Sequence, residues 1–89
     1  MPRYFFHISH TGRRVEDQEG ADFDALEAAQ EEAAASLRDL IAAALKSGKP
    51  STLEAIDVVD NEGSILATVD LIEATEPVFG FRKRLASGR

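Results

Sequence analysis

Cysteine is absent from these 89 residues, and histidine occurs only twice. Without a thiol there is no disulfide, no thiolate zinc site and no cysteine nucleophile, which suits a reducing compartment. Long apolar runs are missing too. The longest, Leu40 to Leu45, falls far short of the roughly 20 residues a membrane-spanning helix needs. The opening residues lack the apolar stretch of a signal peptide, so the expected location is cytoplasmic, with no membrane contact. Basic charge is scarce: the net formal charge is −6, the opposite of what clustered phosphate contacts require, and nucleic acid is not an expected partner. There is no P-loop, no dinucleotide-binding glycine pattern and no zinc-knuckle spacing.

A hydrophobic fraction of 44% beside 29% charged residues is that of an ordinary globular chain and argues against disorder. The length allows one domain with a thin core. Charge is uneven along it. Residues 76–89 carry Arg82, Lys83, Arg84 and Arg89 against Glu76 alone, a local +3 that leaves −9 on residues 1–75. An acidic body with a basic tail can associate with itself or with a basic partner.

Aromatic residues crowd the start, in MPRYFFHISH. Residues 3–9 read as a strand, with Tyr4, Phe6 and Ile8 on one face and Phe5 and His7 on the other. Large aromatics on both faces imply a strand central in its sheet or covered on both sides. A turn at Gly12 leads to a short polar edge strand, Arg13 to Asp17, and a second turn at Gln18-Glu19-Gly20 follows. The span from Asp24 to Ser47 has no glycine or proline and is rich in alanine. It is expected to be a helix, with Asp24 and Glu27 at capping-box spacing and Gly48 closing it. Its apolar stripe runs through Leu26, Ala29, Ala33, Leu37, Leu40, Ile41, Ala44 and Leu45; Glu27, Glu31, Glu32 and Asp39 lie off it as a solvated face. Residues 54–59 and 64–71 form the last hairpin, expected in an unbulged register that sets Ile56 and Val58 opposite Ala67 and Ile65.

The expected fold is therefore α+β, in the order β-β-α-β-β, with one long helix on a four-stranded antiparallel sheet. Residues 1–72 form the domain and residues 73–89 a basic C-terminal tail. One helix covers one face of such a sheet. The other would show Phe5, Val59 and Leu66, with Phe79 and Phe81 available from the tail, and a patch of that kind calls for the tail or a second copy.

The candidate chemistry is thin. His7 and His10 are three apart on a strand and point to opposite faces, so one metal ion is not reached. His7 with Asp17, and Glu19 close by, could form an acid–base cluster across the first hairpin; a hydrogen bond that fixes the hairpin is the commoner use of such a pair. Ser9 lacks the strand–elbow–helix context of a nucleophile. The segment FGFRKRL interleaves aromatics with positive charge, a pattern also met at single-stranded nucleic acid and anionic membranes.

The opening MPRYFFHI, the glycine turn, DQEG with Asp17, Glu19 and Gly20, and the helix start LEAAQEEA together resemble a group of uncharacterised small alphaproteobacterial domains, frequent in rhizobia, whose function is unknown. The resemblance runs over residues 1–72 and implies a short stand-alone cytoplasmic protein, with no activity, cofactor or catalytic residue to carry over. The helix LEAAQEEA and the Gly48-Lys49-Pro50 that ends it are also similar to antitoxin domains of the HicB type, which implies an inhibitor covering a small RNA-cleaving toxin.

The expected function is a non-catalytic protein-interaction module, homodimeric and without cofactor or metal, contacting its partner through Phe5, Val59, Leu66, Phe79 and Phe81. A HicB-like antitoxin, and a small enzyme or ligand binder built on His7 and Asp17, are the alternatives.

Overall fold

The computed structural model describes residues 1–80. The chain runs β1 (Arg3–His10), β2 (Arg13–Val15), β3 (Ala21–Asp22), α1 (Leu26–Ser47), β4 (Leu53–Val59), β5 (Ile65–Asp70) and α2 (Leu71–Phe79). This is an α+β fold with one long helix on an antiparallel sheet ordered β2-β1-β4-β5, and β3 pairs separately with β1. The aromatic first strand is central, flanked by β4 on one edge and by β2 and β3 on the other.

The core forms where α1 meets the sheet. Ala29, Ala33 and Leu37, spaced four apart on one helix face, pack with Tyr4, Ile56, Val58 and Val69. The alanines let the helix backbone approach the strands closely. Leu37, Ile56 and Val58 are fully buried, each stabilising the fold by roughly 1.5–3 kcal/mol. Phe23, from the turn before α1, joins the same layer with its ring 6.2 Å from Tyr4 and 5.8 Å from Phe6.

Four details depart from expectation. First, the helix is capped one residue later than expected. Its N-cap is Ala25, which makes no side-chain bond, so Asp24 and Glu27 form no capping box. Second, Leu45 is 75% exposed. With Ile41 and Ala44 it lines an open hollow that reaches Leu53 and Leu71, so this end of the stripe is only loosely covered.

Third, residues 71–79, expected to end a strand and open the tail, form α2, whose Ala74 is completely buried in the main core. A true capping box starts it. Asp70 accepts the Glu73 backbone N–H at 2.8 Å, and Glu73 accepts that of Asp70 at 3.2 Å. The Arg38 guanidinium, reaching from α1, donates to the Ala74 carbonyl at 3.2 Å. Both helices therefore lie on the same side of the sheet.

Fourth, the final hairpin is bulged. Ile56 faces Val69 and Val58 faces Ala67, after which the pairing passes straight to Val59–Ile65. Leu66 is the extra residue. The expected pairs are displaced by two positions, although Ile56, Val58, Ala67 and Val69 do share the helix-facing side. The bulge moves Ile65 to the other side: it sits opposite Val59, and Leu66 alternates with Ala67.

Candidate functional site

The cluster singled out in the sequence lies where β1 lacks a strand neighbour. On that edge β2 pairs with Ile8, Ser9 and His10, and β3 pairs with Arg3 and Tyr4. Between them Phe5, Phe6 and His7 have no partner strand, because residues 16–20 loop away. An unpaired amide in a half-buried strand is costly.

Asp17 supplies the missing partner. One carboxylate oxygen accepts the Phe6 N–H at 3.1 Å. The other accepts the amides of Glu19 and Gly20, at 3.1 and 3.2 Å, and so folds the loop around the side chain. The Asp17 N–H in turn donates to Nδ1 of His7 at 3.0 Å. That donation requires a lone pair on Nδ1, so the proton of the neutral ring sits on Nε2. Burial pushes the Asp17 carboxyl upward, but the bonds from Phe6, Gly20 and Glu19 outweigh it and hold the group below its ordinary value.

Gly20 completes the clamp. Its φ is +72°, and a Cβ there would lie 2.8 Å from the Tyr4 carbonyl oxygen and 2.9 Å from the Phe5 ring. Only glycine fits that backbone at that distance. Arg3 ties down the far side, donating to the Glu19 carbonyl at 2.9 Å and gripping both Asp22 oxygens, at 3.1 and 3.3 Å.

The structure thus brings His7 and Asp17 together, but through the backbone. The ring meets an amide rather than a carboxylate, and both carboxylate oxygens are bonded to main-chain N–H groups. Glu19 is exposed and joins the clamp only by its backbone. His10 bonds elsewhere, with Nδ1 3.1 Å from the Thr52 hydroxyl. Among the described residues no three His, Asp or Glu side chains are placed to hold a metal ion. Surface hollows of about 560 and 420 Å³ are lined by α2 residues and by the groove between α1 and β5, away from His7.

A polar group not anticipated from the sequence adjoins His7. Asp57 lies directly across from it on β4, accepts the Thr68 hydroxyl at 2.8 Å and pairs with Arg14 at 3.7 Å. The signal was Asp57 alone among Ile56, Val58 and Val59, which marks the non-core face of β4.

Residues 3–72 match a family described as a domain of unknown function (DUF6894). The chain belongs to that family. The DUF6894 match begins at Arg3, the residue that anchors the loop, and ends within the first turn of α2; the whole clamp lies inside it. No curated protein and no solved structure matches the chain.

The expected contact residues are dispersed. Val59 is 2% exposed, paired between Phe5 and Ile65. Phe5 is half-buried against Gly20. Leu66 is 41% exposed beside Ile65 at 54%. Phe79 is on α2 in the helical layer, lining a hollow with Arg38, Ile41 and Leu45. Phe81 lies outside the described residues. Among the described residues no helix is long and apolar enough to cross a membrane.

Proposed function

We propose that the chain is a non-catalytic protein-interaction module that self-associates through the side of its sheet opposite the helices. The observation that carries this reading is the β5 bulge. It turns two exposed aliphatics, Ile65 and Leu66, to the same side as Phe5, where among the described residues no helix packs. A bulge that exposes two apolar side chains on the same side as an aromatic, one strand away from it, works against the isolated monomer and in favour of a covering surface. A second copy related by a two-fold axis covers such a patch with itself. His7 and Asp17 fit this reading as supports. Their polar atoms hold the loop that seats Phe5, which leaves the clamp a scaffold for the surface.

Sedimentation velocity over a wide concentration range tests it. The native chain is expected to sediment as a concentration-dependent dimer, and Leu66→Arg, at an already exposed position, as a folded monomer. A native chain that remains monomeric at high concentration overturns the reading.

A further inference from the structure

The sheet also has an open edge, distinct from its open side. Phe6 donates its N–H to Asp17 on the outer edge of β1, so its backbone groups point away from β4. Backbone direction alternates in antiparallel ladders. Val58, opposite Phe6, therefore bonds toward β5, Ala67 bonds back to it, and Thr68 turns its N–H and C=O outward. The next outward amide, Asp70, is taken by Glu73. Thr68 and the bulged Leu66 are left as the open part of the edge. Natural edges are guarded by lysine, proline, inward charge or a bulge; β5, reading ILATVD, has only its bulge at Leu66 and no charge or proline before its last residue, so Thr68, beyond the bulge, stays open.

Beside this edge runs a groove of about 420 Å³, lined by Glu27, Gln30 and Glu31 of α1, Thr68 and Val69 of β5, and Glu73. Its charged side chains are all acidic. Glu27 and Glu31 are one helical turn apart, about 6 Å along the axis. Alternate side chains of an extended strand are separated by about 6.6 Å. Two basic groups at alternate positions of an added strand would match them.

We infer that the outer edge of β5 takes up an extended basic segment of another protein as an additional strand. Main-chain bonds go to Thr68 and Leu66, and lysine or arginine side chains lie over Glu27 and Glu31. A second copy is disfavoured on this edge, because it would bring the same acidic groove against itself. This inference rests on the interaction-module reading and names a partner for it.

The test is fluorescence anisotropy with labelled peptides and the full chain. The probes are a peptide of alternating valine and arginine, its valine–glutamate counterpart, and two versions of the basic peptide N-methylated on alternate residues in opposite phases. The basic peptide should bind saturably and weaken with salt. The glutamate peptide should not bind. One N-methylated phase should lose about tenfold or more while the other keeps its affinity, since a paired strand presents only every second amide. The variant E27Q/E31Q should weaken binding without altering the fold. Equal binding of both methylated phases would reduce the contact to charge alone and overturn the inference. So would binding of the basic peptide that leaves the Thr68 amide resonance unmoved. Absence of peptide binding in a chain that still dimerises removes the edge partner and keeps the module; absence of both removes both.

Discussion

Among the glycines of the described residues, Gly20 has the least latitude. Its left-handed backbone and the Tyr4 carbonyl oxygen only 2.8 Å from a would-be Cβ act together. Gly20→Ala is expected to lower stability by about 2 kcal/mol or more, read from the urea midpoint. Asp17→Ala should cost about 1–3 kcal/mol, because it leaves the Phe6 amide and the loop amides unanswered. The pH dependence follows from the lowered carboxyl. A group whose folded-state value is depressed contributes fully above its unfolded value, near 4, and loses that contribution as pH falls through the folded one. The stability gap between wild type and Asp17→Ala should therefore be constant from neutral pH down to about 4 and narrow below it. A gap unchanged through the acid range would mean that the carboxylate charge has no part in the clamp. Asp17 and Gly20 stood out in the sequence as a turn motif, and the pairing of His7 with Asp17 was legible. Its backbone character was not. A side chain that answers a main-chain amide leaves no mark distinct from one that answers another side chain.

At the scale of elements, the missing cap of α1 is a correctable weakness. Ala25 already has the extended backbone of an N-cap residue but offers no acceptor. Ala25→Asp should stabilise the chain by about 1 kcal/mol, a rise of about 4–8 °C in the thermal midpoint. An unchanged midpoint would mean that the first turn is satisfied in another way. Alternation and the glycine-free, alanine-rich run made β1, α1 and the last hairpin readable. The exact start of α1 was not, since Asp24 and Ala25 differ by one residue and the better capping side chain stands at the wrong one. The helix α2 carried its own signal in Asp70 and Glu73, masked by the apolar Val69, Leu71 and Ile72 that also suit a continuing strand. The bulge was hidden for a similar reason. Its benefit is collective: it lets Ile56 and Val58 keep the core side while the turn at Asp60 closes on the Ser64 amide and carbonyl.

For the whole molecule, one consequence of α2 dominates. It joins α1 on the same side, so the structure has a thick helical side and a sheet side on which Phe5, Ile65 and Leu66 meet the polar row of His7, Asp57 and Arg14. Sequence reasoning identified Phe5 and Leu66 as members of that surface. It could not foresee that Val59 is almost fully buried, or that Ile65 comes to this side, which follows from the bulge. The proposed division of labour is a rigid clamp beneath a surface for association. Its most direct test is NMR relaxation by a soluble paramagnetic chelate, recorded on dilute and on concentrated protein. On concentration, Phe5, Ile65 and Leu66 should become shielded from the chelate while Glu32 and Asp39 of α1 stay as exposed as before. Shielding confined to the helices, or no change on either side, would contradict the proposal.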